Sequence, residues 1–379
     1  PISISLYSSA ASGGDKRQPI SNNYVGETAS GWAFYSADGR KVTSDSFSSY
    51  GSGMSNGDTI GVAFDADNGT LAFYQNGSSL GNAFTGLTSG PYFPAVSLYG
   101  TQTYHFNFGQ RPFAYTPPTG YKSLCTTNLP DPTIADGSTA MDAKLWTGTG
   151  ATRSITSYGF SPDWVWIKQR DTTRSNNTFD IVRGANKPLF TDLTLAELSD
   201  GRLTSFDSTG FTLDSDNAVN DTNGPYVGFA WDGGTSTVSN TDGTITSSVR
   251  ANPSAGFSIV SYTGNGHGQA VGSSTATVGH GLNAKPEFII VKNLDDSQDW
   301  SVYHVGTDAT APENYYLSLN KTDSRGANSS SDKWSNIAPT SSVFTLGSSS
   351  SVNRGNDDHI AYCFAPVEGY SAFGSYTGN

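Results

Sequence analysis

Gly57-Asp58-Thr59-Ile60-Gly61-Val62-Ala63-Phe64 runs into Asp65-Ala66-Asp67-Asn68-Gly69, then returns through Thr70-Leu71-Ala72-Phe73-Tyr74 to a second Asn-Gly pair at Asn76-Gly77. The outer stretches are rich in β-branched and aromatic side chains, which fit a pleated, half-buried surface. Asn-Gly favours positive φ at both central positions of a tight turn, so each pair reverses a strand. These residues therefore read as consecutive antiparallel strands. Upstream, Ala33-Phe34-Tyr35 and the turn Ala37-Asp38-Gly39-Arg40 continue the pattern, and downstream Pro91–Leu98 and Tyr104–Phe108 supply two more strands.

The rest of the chain has the same character. Aromatic residues make up 12% of the 379 residues and charged residues only 14%, against a typical quarter. Gly, Ser, Thr, Asn and Asp fill the remainder, and these residues end strands and form turns. The composition predicts an all-β protein, with Thr194-Leu195-Ala196-Glu197-Leu198 as its one helical candidate, a turn or two long. The length predicts two to three domains.

Lys and Arg number 21 against 33 Asp and Glu, a net charge of −12. That field repels phosphate backbones and excludes nucleic acid as the expected partner. No apolar run approaches the length of a membrane span, so no membrane insertion is expected. Cys125 and Cys363 are too few and too far apart for a disulfide framework and read as small buried hydrophobes. The chain opens on Pro1 with no signal-peptide pattern, which reads as a processed or trimmed start.

The hairpin region carries a resemblance. Gly57-Asp58-Thr59-Ile60-Gly61-Val62, then Asp65-x-Asp67-x-Gly69-Thr70-Leu71-x-Phe73-Tyr74-x-Asn76-Gly77, then Gly81-x-Ala83-Phe84, resemble the SPRY domain, a curved antiparallel β-sandwich. Tyr92–Ser97 and Asn107-Phe108-Gly109 match its closing strands. Gln110–Tyr121 resembles the exit from SPRY modules of bacteriophage proteins. Only 23 residues precede Tyr24, so the sandwich is expected to be N-terminally incomplete.

An internal repeat follows. Pro162-Asp163-Trp164-Val165-Trp166-Ile167-Lys168 corresponds to Pro286-Glu287-Phe288-Ile289-Ile290-Val291-Lys292. Phe211-Thr212-Leu213, Val219-Asn220 and Tyr226–Trp231 recur as Phe344-Thr345-Leu346, Val352-Asn353 and His359–Phe364. Trp146-Thr147-Gly148, Tyr262-Thr263-Gly264 and Tyr376-Thr377-Gly378 mark three openings. The expected organisation is a SPRY-like sandwich over 1–116, a Pro-containing linker over 117–141, and a first β-repeat over 142–234. A linker over 235–256, a second β-repeat over 257–369 and the first strand of a further repeat over 370–379 complete it. Strands at the two ends are expected to pair with other chain.

No catalytic constellation stands out. The five histidines lack metal-site spacing, and no nucleophile elbow, phosphate loop or dinucleotide fingerprint occurs, so no catalytic residue, metal ligand or cofactor is expected. Asp65-Ala66-Asp67-Asn68-Gly69 imitates half of a calcium loop but has Asn76 where a bidentate Glu belongs, and Asx-capped turns are the plainer reading. Asp214-Ser215-Asp216-Asn217 and Asn356-Asp357-Asp358 leave Ca²⁺ open as an alternative.

What remains is display. The SPRY resemblance implies binding through loops at one rim, here Ser44–Tyr50 and Asn76–Asn82, with Trp32, Tyr35, Tyr50 and Asn76 as candidate binding residues and core packing as the alternative for Trp32 and Tyr35. The phage resemblance implies a non-enzymatic virion-surface protein, a fibre or decoration, as a homo-oligomer among other virion subunits, with a host surface protein or glycan as ligand. A bacterial adhesin or lectin, and a carbohydrate-active enzyme with a SPRY accessory, are the alternatives.

Overall fold

The computed structural model describes residues 24–88, 92–98, 103–125, 128, 132–266, 275–328 and 332–376, and the backbone of 2–8. It divides into two compact units, Pro1–Pro130 and Asp131–Asn379. The architecture is all-β, as the composition requires. Among the described residues no helix is long and apolar enough to cross a membrane.

The first unit contains β1 (Ile2–Ser8), β2 (Ala33–Tyr35), β3 (Arg40–Thr43), β4 (Ser46–Ser48), β5 (Thr59–Asp65), β6 (Thr70–Gln75), β7 (Ser78–Phe84), β8 (Tyr104–Asn107) and β9 (Lys122–Ser123). The main sheet runs β7-β6-β5-β1-β8, with β9 paired to β1, and β2-β3-β4 form a separate antiparallel meander. Both Asn-Gly pairs lie in turns, but at Asn68-Gly69 only the glycine has positive φ, in a four-residue loop between Asp65 and Thr70. Gln75 faces Ser78 across Asn76 and Gly77, whose φ values are 50° and 83°. One face of the sheet buries Ile60, Leu71, Phe73, Ala83 and Leu87; the other is covered at Ala63 and Ala72 by Phe113 and Tyr121.

Three expectations are corrected in this unit. Strand β1 is paired within its own unit, in parallel with β5 on one side and β8 on the other. The strand expected over Pro91–Leu98, of which 92–98 are described, is the second correction. That segment forms no strand, Phe93, Val96 and Leu98 are exposed, and Pro94 lacks the N–H a ladder needs. Residues 78–82, expected as a rim loop, belong to the edge strand β7.

The second unit begins with β10 (Met141–Thr147), β11 (Arg153–Ile155), β12 (Trp164–Gln169), β13 (Asn177–Asp180), β14 (Leu189–Phe190), β15 (Leu203–Asp207), β16 (Gly210–Leu213), α1 (Asn217–Asn220) and β17 (Pro225–Trp231). Next come β18 (Thr237–Asn240), β19 (Ser247–Asn252), β20 (Phe257–Thr263), β21 (Ala276–Gly279), β22 (Phe288–Asn293) and β23 (Ser301–His304). The last elements are β24 (Tyr315–Ser318), β25 (Gly326–Ala327), β26 (Val343–Leu346), α2 (Ser350–Asn353) and β27 (Asp358–Phe364). The sheet order β10-β17-β12-β13-β14 recurs as β20-β27-β22-β23-β24, and the β11–β16 pair recurs as β21–β26.

The recurring sequence words have a structural cause. Asn220 is fully buried; its amide oxygen accepts from the Thr149 N–H and its amide nitrogen donates to Ala151 and Asp214 carbonyls. Asn353 accepts from the Asn265 N–H and donates to the Gly347 carbonyl in the same way. Trp146 stacks on Tyr226 and donates to the Val219 carbonyl, while Tyr262 stacks on His359 and donates to the Val352 carbonyl. Each Val-Asn pair thus latches the aromatic-Thr-Gly that opens its own segment.

The two segments are not separated by a linker. Residues 235–256 form β18 and β19, which extend the second large sheet through β20. Trp164 and Leu189 share one apolar cluster with Phe257, Ile259, Ile290, Trp300 and Tyr362. Outside that shared layer, each segment has its own core beneath its small sheet. Thr194–Leu198 is not helical. The Glu197 N–H donates to the Leu294 carbonyl of the second segment, and the Glu197 carboxylate pairs with Arg183 and Lys187. At the far end Val367 bridges Ser371, and Ser371–Tyr376 make no sheet strand; 377–379 lie outside the described residues. Cys363 is buried, with its thiol pushed up by burial, but Cys125 is only half-buried.

Candidate binding face of the N-terminal unit

The β2–β4 meander presents an aromatic face. Its first reversal needs Gly39, at φ 82°, because a Cβ there would meet the Ser52 backbone at 2.4 Å. Its second is a two-residue turn at Ser44-Asp45, both at positive φ. Alternation sends Phe34 into the core and turns Tyr35 and Arg40 outward as a cross-strand pair. Tyr35 meets the edge of Phe47 at 5.4 Å, and Tyr24 lies 6.2 Å from Phe47 on the other side. The Arg40 guanidinium sits 4.6 Å above Phe47 and 5.8 Å above Tyr35. Asp38 holds it there by a 2.8 Å bond from Nε and a 2.7 Å contact from Nη2.

Tyr24 donates its hydroxyl to the Asp45 carboxylate, which pushes the phenol up to about 12. Tyr24 and Tyr35 remain more than a third exposed. The face therefore offers rigid ring edges, a fixed cation and two carboxylates, the mixture that anchors protein contacts.

Of the four residues singled out from sequence, only Tyr35 lies here. Trp32 is partly buried against the core, 5.8 Å from Tyr92. Tyr50 is wedged between Phe34 and Phe73, accepts from the Phe73 N–H at 3.1 Å and donates to the Gly81 carbonyl. Asn76 is a turn residue: it accepts from the Thr59 N–H and donates to Asp58, both at 2.8 Å. Sequence reasoning missed Tyr24, Arg40 and Phe47. The signal was the alternation Ala33-x-Tyr35 against Arg40-x-Val42, which sets both outward residues on one face.

Carboxylates of the acidic loops bond to protein groups. Asp65 accepts from the Asp67 and Asn68 N–H groups and the Asn68 amide. Asp216 caps α1, Asp357 accepts from Asn293, and Asp358 accepts from Thr263. Among the described residues no three His, Cys, Asp or Glu side chains are grouped to hold a metal ion.

One cluster has reactive chemistry without access. Lys333 Nζ lies 2.6 Å from Ser351 Oγ, which is 2.9 Å from Ser301 Oγ, and burial lowers the lysine pKa. A lysine beside a hydroxyl can activate it. Here Ser351 and Ser301 are buried at 2% and 1% exposure, so the network ties α2 to β23 instead of facing a substrate.

Comparison with known proteins agrees with this division. A SPRY-domain model matches residues 10–111. Over 106 residues the chain is 40% identical to the E3 ubiquitin-protein ligase RKP of Arabidopsis thaliana, covering 26% of this chain and 8% of that protein. Identity is 33% over 94 residues to the ATP-dependent RNA helicase Ddx1 of Drosophila melanogaster, covering 24% and 13%. It is 36% over 83 residues to protein ssh4 of Aspergillus clavatus, covering 21% and 16%. The chain thus spans only a small part of the length of these relatives. No solved structure matches. The model for DUF7483, described as a domain of unknown function, matches residues 136–379, which take in both repeated segments and well over half of the sequence. The chain belongs to the DUF7483 family and carries a SPRY domain ahead of that region.

Proposed function

We propose that this chain is a non-catalytic display protein: its SPRY domain binds a protein surface through the Tyr24–Tyr35–Arg40–Phe47 face, and its DUF7483 region is the rigid body that carries it. The observation that carries this reading is Arg40, held by Asp38 over the exposed Tyr35 ring and the part-buried Phe47 ring. A pre-organised cation on a rigid ring surface loses little entropy when a partner docks. Relatives with unlike printed activities, a ubiquitin ligase and a helicase, each match only 24–26% of this chain. Short matches to such different proteins suit a recognition module better than a shared reaction.

The serial β-units, the low charge and the likeness of Gln110–Tyr121 to phage SPRY exits favour a virion-surface setting, as a fibre or decoration. Mass spectrometry of purified particles tests that setting; recovery from a bacterial cell surface would favour the adhesin reading. Binding is tested by probing host envelope proteins and glycans with the full chain and with Arg40→Ala and Tyr35→Ala. Loss of about tenfold or more in affinity for a protein ligand is expected. Equal binding by wild type and both variants would refute the face, and selective capture of a glycan would replace the protein ligand.

A further inference from the structure

The face of the first segment's large sheet that looks away from its own core continues past the inter-segment contact and is left open. Val165, Ile167, Tyr226 and Ala230 point into the segment's own core, so alternation turns Trp164, Trp166, Phe229, Trp231 and Leu145 the other way. At one end Trp164 is 2% exposed beneath the second segment. Farther along, Trp166 is half-buried, Phe229 is 36% exposed and Leu145 is 66% exposed. Trp166 and Phe229 are direct cross-strand partners, and Leu145 lies diagonally from Phe229 on the edge strand β10.

The matching strands of the second segment show what this face is for. Register places Phe229 where Tyr362 stands and Trp166 where Ile290 stands. Tyr362 and Ile290 are 0% and 2% exposed, covered by the first segment. The same sheet face is thus sealed by another β-segment in one copy and open, around three large apolar side chains, in the other. An open apolar patch continuous with an existing sheet-on-sheet interface marks a docking surface.

We propose that the Leu145–Trp166–Phe229 face docks a second copy of this chain, the two patches meeting about a two-fold axis. Self-association is favoured because the established interface that the patch extends is itself DUF7483 segment against DUF7483 segment. A closed two-fold contact between identical patches is the common solution for homo-oligomers.

The test is sedimentation equilibrium of the full chain at about 1 to about 100 µM, where weak and moderate homodimers separate from monomers. Wild type should sediment as a dimer. Leu145→Lys and Phe229→Lys should each weaken dimerisation by about tenfold or more, since both place a charge at the centre of the contact. Val238→Lys, at an exposed apolar site on β18, should leave the dimer unchanged. Thermal melts matching wild type establish that the variants are folded. A monomer at the highest concentration, or a dimer that both central variants leave intact, overturns the proposal. So does a monomer in which Leu145→Cys resists maleimide, since the chain's own segments would then cover the patch.

Discussion

Trp164 of the first segment stacks on Tyr362 of the second, with ring centroids 4.3 Å apart and planes 19° from parallel. Both rings also make polar contacts. The indole N–H donates to Thr178 at 2.6 Å, and the Tyr362 hydroxyl donates to the Asp180 carboxylate at 2.8 Å. The layer that joins the segments therefore buries its largest rings with their polar atoms hydrogen-bonded.

Trp164→Ala should lower the stability of the DUF7483 region by about 3–5 kcal/mol, the range for emptying a large aromatic site in a core. The whole region should still unfold in one step, because the shared cluster belongs to both segments. Urea titration followed by far-UV circular dichroism and by tryptophan fluorescence checks this. Two transitions, separated for the two segments in wild type, would contradict the shared core.

Asp180 and Arg183 form an ion pair at 2.5 Å with 0% and 2% of their side chains exposed, and Glu197 and Tyr362 complete the cluster. Removing one charge leaves the other buried and unpaired. Arg183→Met should cost about 3–5 kcal/mol, and Asp180→Leu combined with Arg183→Met should recover part of it. Chemical denaturation of the two variants measures the difference. A double variant less stable than Arg183→Met would mean that Asp180 stabilises through its other partner, the Tyr362 hydroxyl, even without the arginine.

The hairpins over residues 59–84 were legible because turn chemistry is local: it depends on the turn residues themselves, above all on glycine at positive φ, and on nothing distant. The match of Val219-Asn220 to Val352-Asn353 was visible too, but not its reason, since Asn220 reaches Thr149, 71 residues away. The supposed linker over 235–256 looked structureless for the opposite cause. Val238 and Val249 pair across an edge hairpin, and Val249 finds its apolar partners only in a core assembled from strands that come later in the chain. Likewise Tyr50 and Asn76 read as rim residues because turn and aromatic types are common to rims and to cores. Only their partners, Phe73 and Thr59, distinguish the two.

The latch itself is testable. Asn220→Ala strips the Thr149 N–H and two carbonyls of their buried partner, and Asn353→Ala does the same to Asn265 and Gly347. Each should cost about 1–2 kcal/mol, because water reaches the exposed Thr149 and Asn265 and replaces part of the lost bonding. Hydrogen exchange should show the loss of protection first at Thr149 and Asn265. Unchanged exchange there would reduce the repeated Val-Asn to simple packing.

Two buried groups should tilt the pH dependence in opposite directions. Burial raises the Asp163 carboxyl to about 6, although Arg250 lies 2.9 Å away and the Gly233 N–H donates to it. The folded state then binds a proton that the unfolded state has released, so this group's contribution falls as pH rises from about 4 to about 6, by up to about 3 kcal/mol. Burial lowers His280 to about 4, so here the unfolded state binds the extra proton. Stability from this group therefore rises over about pH 4 to 6.5 by a similar amount. His304 and His359, lowered by the same cause, add to that rise. Asp163→Asn should accordingly make stability climb more steeply with pH than in wild type, and His280→Asn should flatten or reverse the climb. Urea midpoints taken from pH 4 to pH 7 on the three proteins give the slopes. Parallel slopes would mean that Asp163 and His280 titrate alike in the folded and unfolded chains, and the opposed contributions would have no basis.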